Sequence, residues 1–190
     1  KNLTKNGGGG KQTEDAVRKA LEWLQKHQNP DGSWSCAGFD GRCKGGGKCT
    51  GPGTADYDVG VSALAMLAFL GHGETSSSGP FAATVRQGLN WLKGQQGSDG
   101  CIGPKTIEKH LYNHSIATMA LAEAVAMNEY NLKDAAQKAI NYLLVCQNPA
   151  AKGGGWRYRN YNAGGADEHD GNNDTSVTGW AVMAMKSARV

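Results

Sequence analysis

The chain of 190 residues carries 20 Lys and Arg against 17 Asp and Glu, a net charge of +3, with 39% hydrophobic residues. That length makes one ordinary domain with a core of its own, and the hydrophobic share excludes global disorder. The charge is too small, and the basic residues too scattered, for a nucleic-acid surface. No apolar run reaches the roughly 18 residues of a membrane span.

In chain order, residues 1–11 are a flexible Gly-rich lead-in, starting at Lys1 with no Met and no signal peptide and so read as a fragment or processed product. Residues 12–190 form one domain. Its first element, "AVRKALEWLQKHQNPDGSW" (16–34), sets Val17, Ala20, Leu21 and Leu24 at helical spacing, then Gln28, Gly32 and Trp34. "DVGVSALAMLAFLG" (58–71) is a second helix, apolar on nearly every side. The plan recurs in "VRQGLNWLKGQQGSDGCI" (85–102), with Ile102 where Trp would stand, followed by "NHSIATMALAEAVAMN" (113–128). It recurs again in "AQKAINYLLVCQNPAAKGGGW" (136–156), with Gln147, Gly154 and Trp156, followed by "DTSVTGWAVMAMKSA" (174–188). Three repeats of about 60 residues result, over approximately 12–71, 80–128 and 131–190. Each is an outer amphipathic helix, a loop, and an inner apolar helix. Aligning Val61, Ile116 and Val177 brings Asp58, Asn113 and Asp174 to one equivalent position.

The pattern Leu-x₃-Gln-x₃-Gly-x-Trp, met by Leu24, Gln28, Gly32 and Trp34, resembles the QW repeat of squalene and terpenoid cyclases. "YNHSIATMALAEA", "GGGWRY" and "DTSVTGWAVMAMKSA" resemble the prenyltransferase/squalene-oxidase repeat proteins of planctomycete-type bacteria. The resemblance implies an all-α fold, a partial (α/α) toroid of three helical hairpins that makes about half a ring. It implies a central cavity at the N-terminal ends of the inner helices. A fold of this kind does not by itself assign a reaction.

Three polar clusters fall at that rim: Asp56, Tyr57 and Asp58; Tyr112, Asn113 and His114; Asn172, Asn173, Asp174 and Thr175. Two readings compete, helix caps and a ligand site. In the second, His114, Asp174 and Asp58 are the candidate catalytic groups, His114 for proton transfer because imidazole titrates near neutrality. Tyr57, Tyr112, Asn113, Asn173, Trp34 and Trp156 are the candidate binding residues. The acidic Asp-x-Asp-Asp-Thr-Ala motif implied by the cyclase resemblance aligns with Gly171–Ser176, which keeps Asp174 and Thr175 but has Asn173 at the proton-donating place.

No cofactor and no metal are expected. His110 and His114 are four apart but lack a nearby Cys–Asp set, and "ADEHDGNND" (166–174) lacks the full calcium-loop pattern. Cys36, Cys43 and Cys49 are spaced Cys-x₆-Cys-x₅-Cys, unlike the close pairs of zinc sites. At least one disulfide drawn from Cys36, Cys43, Cys49 and Cys101 is expected, with Cys146 a buried thiol and an extracytoplasmic location.

Three functions are compatible with this pattern. The first is a terpenoid cyclase- or prenyltransferase-like domain holding a small hydrophobic, isoprenoid ligand. The second is a carbohydrate-active toroid, a lyase or glycan-binding module. The third is an interaction scaffold that self-associates or docks with remaining repeats.

Overall fold

The computed structural model describes residues 10–44, 49–160 and 172–188. Six α-helices lie among them: α1 (Lys11–His27), α2 (Asp58–His72), α3 (Ala82–Gly94), α4 (His110–Ala126), α5 (Lys133–Val145) and α6 (Thr175–Ser187). No strand forms among the described residues; Gln96 and Ile102 make only an isolated bridge. None of these helices is long and apolar enough to cross a membrane. Of the expected lead-in, residues 1–9 lie outside the described residues, and Lys11 already opens α1.

The helices pair as the repeats predict. The inner helices α2, α4 and α6 pack side by side, with α4 in the middle, and α1, α3 and α5 lie behind them. This is the all-α partial toroid. α4 buries residues on all sides, Leu111, Ile116, Ala117, Ala120, Leu121 and Ala124 among them. α2 and α6 have an inner-helix neighbour on one side only, and Leu64, Val182 and Met183 stay 41–54% exposed. Apolar residues all round thus mean full enclosure for the central inner helix alone. Val17 on α1 is 40% exposed although the spacing places it on the apolar stripe, because α1 buries little beyond Leu21 and His27.

The Gln of each repeat and the Trp of the first and third do separate jobs. Just past α1, Gln28 donates from one amide nitrogen to Gly32 O and, at 3.0 Å, to Thr84 O on the next outer helix. Just past α3, Gln96 repeats this with Gly100 O and Ala135 O on α5. Gln147 reaches Gly154 O and remains exposed. Trp34 and Trp156 are buried, and their indole N–H groups donate to Leu24 O and Leu143 O, equivalent carbonyls near the ends of α1 and α5.

Glycine is required at two of these turns. Gly32 and Gly100 have φ of +99° and +90°, and a Cβ on either would collide with a backbone carbonyl of the following outer helix, at Gln87 or Lys138. Gly154, with φ +67°, has no atom near its Cβ position.

Candidate functional site

The inner-helix N-termini carry three equivalent polar residues that turn to different partners. Asp174 caps α6, its carboxylate accepting from the N–H groups of Ser176 and Val177. Asp58 accepts instead from Cys36 N–H in the preceding loop, at 2.6 Å. Asn113 is buried and crosses between repeats, accepting from Gly60 N–H and donating to Asp56 O. Of the three, Asn113 lines a cavity between α2 and α4, and among the described residues each of the three satisfies backbone groups of its own surroundings.

That cavity, about 330 Å³, opens between α2 and α4 and is lined by Tyr57, Val61, Leu64, Lys109, Tyr112 and Ile116 together with Gly60 and Asn113. A second cavity of about 440 Å³ adjoins it at Val61 and Leu64 and continues toward α1, where Trp23, Leu24, Trp34 and Phe39 wall it. The two form one mostly apolar trough across the exposed face of α2. At the other side, the Tyr112 hydroxyl leaves the cavity for Asp174 and a very close Ser176 hydroxyl. Tyr158 stacks on Tyr112 and donates to the other Asp174 oxygen at 3.2 Å. These donors, led by the Val177 N–H, hold the Asp174 carboxyl below its ordinary value, so it stays ionised at neutral pH.

His114 is not at the rim. It is fully buried, with Nδ1 accepting from Ile102 N–H at 3.0 Å and Nε2 facing Ala139 O at 3.1 Å. Burial pushes its pKa down to about 3. A neutral imidazole with both nitrogens engaged, and no path to the trough, is a structural crosslink and not a proton-transfer group. Its job follows from the repeat. The backbone N–H of Trp34 donates to the Ser62 hydroxyl and that of Trp156 to the Thr178 hydroxyl. The equivalent residue in the second repeat is Ala117, which has no hydroxyl, and His114 reaches over from one turn earlier to take the N–H of Ile102. His110, four residues earlier, is also buried and faces the Tyr142 hydroxyl.

Asn173 also turns away from the trough. Its Oδ1 accepts from Asn148 and from Gly155 N–H, and its Nδ2 donates to Lys152 O. Trp34 and Trp156 have no free ring face, at 3% and 4% exposure. Of the expected binding residues, Tyr57, Tyr112 and Asn113 are brought together at one cavity and Trp34 borders the adjoining one. Lys109 and Tyr158 were not singled out by sequence reasoning, although "GGGWRY" carries Tyr158. Residues 166–171 of the "ADEHDGNND" segment, and Gly171 of the acidic-motif alignment, lie outside the described residues.

The expected disulfide is absent, since all five cysteines are free. Cys101 is buried with Cys146 and Tyr142 in the core of the third repeat, where it cannot serve the 36–49 loop. Burial raises Cys101 to about 11 and Cys146 to about 12, which leaves both as inert thiols.

No curated protein and no solved structure matches the chain. One family does, twice, over residues 4–102 and 50–190, and the overlap from 50 to 102 is what an internally repeated chain produces. With three helical hairpins and nearly its whole length matched, the chain belongs to the squalene-hopene cyclase C-terminal domain family.

Proposed function

We propose that this domain binds an isoprenoid-type chain in the trough along α2 and does not start its cyclisation by protonation. The observation that carries the reading is the trough itself: two adjoining cavities of about 440 and 330 Å³ with largely aliphatic and aromatic walls, in the size range of ligand sites, about 300–1,000 Å³. The acid that a cyclase needs is missing from the aligned motif at Asn172–Ser176. Asn173 stands in its place and has no acidic proton, and Asp174 is ionised and saturated with donors. Leu64, 43% exposed, sits where the cavities meet. Binding of squalene or farnesol is expected to change the fluorescence of Trp23 and Trp34, and Leu64→Glu is expected to weaken it at least about tenfold, about 1.4 kcal/mol, without a change in melting temperature. Equal binding by the variant, or a cyclised product from squalene, would remove the proposal. The buried faces of Trp34 and Trp156 weigh against glycan stacking.

One observation favours a second reading, the scaffold. Gln147 and Gly154 form an edge equivalent to the edges that Gln28 with Gly32 and Gln96 with Gly100 present to the next outer helix. We propose that a second copy of this chain docks there through its own α1, whose Ala16 carbonyl is equivalent to those of Thr84 and Ala135.

A further inference from the structure

The loop between α1 and α2 brings two cysteines against the last residue of α1. His27 Nε2 lies 3.5 Å from Cys43 Sγ and 3.8 Å from Cys49 Sγ, and all three atoms fall within 4.8 Å of one another. We propose that His27, Cys43 and Cys49 bind a zinc ion, with the fourth coordination position held by water.

The imidazole is arranged as a ligand. Its Nδ1 is 2.7 Å from Trp23 O, and a carbonyl can only accept, so the proton sits on Nδ1 and the Nε2 lone pair faces the sulfurs. Metal-bound histidines are held in this way through their second nitrogen. Trp23 also stacks on the ring at 3.8 Å, fixing its plane. The spacing suits the metal. Tetrahedral bonds of about 2.0–2.1 Å to nitrogen and 2.3 Å to sulfur place the donor atoms about 3.6 Å apart, which matches both measured separations. Two thiolates and an imidazole are the donor set of a borderline-soft cation such as zinc.

The Cys43 sulfur is positioned as well: Cys49 N–H donates to it at 3.3 Å. Zinc takes the place of the thiol protons, releasing one from each thiol that is still protonated. Cys36 is not part of the set: its sulfur is not among the donor atoms that fall within 4.8 Å of one another. A cavity of about 270 Å³ lies over the three donors, with Lys26, Arg42 and Lys44 in its walls. It gives the fourth position access to solvent, as in sites with three protein ligands and a water.

The test is direct. The full chain, reduced and stripped with chelator, is titrated with zinc against a chromophoric chelator and with cobalt(II) for its thiolate charge-transfer absorption. One zinc per chain and a thiolate band are expected. His27→Ala, Cys43→Ser and Cys49→Ser should each weaken zinc binding by more than the about 10–100-fold that follows loss of a group hydrogen-bonded to a ligand. Cys36→Ser should bind as the parent does. Circular dichroism checks that each variant keeps its helices, as expected for changes at one loop and a helix end. Reduced, helical parent protein that binds zinc no tighter than Cys43→Ser overturns the proposal. So does an equal loss in Cys36→Ser, or a Cys43–Cys49 disulfide in the zinc-loaded chain.

Discussion

His114 holds the second repeat together by taking a backbone N–H from the loop after α3 and facing a carbonyl of α5. His114→Ala leaves Ile102 N–H buried without a partner, at about 1–3 kcal/mol, and should lower the unfolding free energy by at least that much in denaturant titration. The same residue makes the domain acid-sensitive. Its folded pKa of about 3 lies below the ordinary 6.5, so the unfolded chain binds the proton first as the pH drops. The stabilisation is whole above pH 6.5 and is lost between there and about 3, at no more than about 1.4 kcal/mol per pH unit. Asp174 adds a loss of the same sign below its ordinary 3.8. A stability that stayed flat from pH 7 to 4.5 would contradict this assignment of His114. The sequence places His114 beside Tyr112 and Asn113, and only the missing hydroxyl at Ala117 hints at its inward turn. A one-residue step along a helix rotates the side chain by about 100°, so neighbours in sequence can face trough and core. That geometry kept Tyr112 legible as a cavity residue and hid the burial of His114.

At the scale of the element, the helices follow from apolar spacing that survives in all three repeats. The loops do not, because a disulfide and a metal cage demand the same cysteines and differ only in where a histidine falls. His27 reads in the sequence as an ordinary basic residue of the last turn of α1, and the extracytoplasmic expectation rested on the disulfide alone. The Gly–Gln edges give a sharp comparison. Gly32→Ala and Gly100→Ala meet both the left-handed backbone and a facing carbonyl, whereas Gly154→Ala meets the backbone alone, about 1–2 kcal/mol. The first two should therefore be the more destabilising by thermal melting, and equal losses at all three would mean that the close approach of the outer helices contributes nothing. Trp34→Ala should cost about 3–5 kcal/mol, since it removes a packed ring and frees Leu24 O.

For the whole molecule, the two ends of the arc are its unfinished surfaces. Val182 and Met183 on α6 and Leu144 and Val145 on α5 are exposed at one end, and Val17 and Trp23 on α1 at the other. Sedimentation should find a dimer that Gln147→Ala and Met183→Arg together shift toward monomer; a monomeric parent at every accessible concentration would refute the docking of two copies. The stitching has a further consequence for how the arc comes apart. The Gln28 and Gln96 amides each tie an outer helix to the next one along, and α4 packs between α2 and α6, so each repeat is coupled to its neighbours. Opening should start at the free ends and travel inward. Amide hydrogen exchange should then be fastest in α1 and α6 and slowest in α4, which is the last element to lose a neighbour.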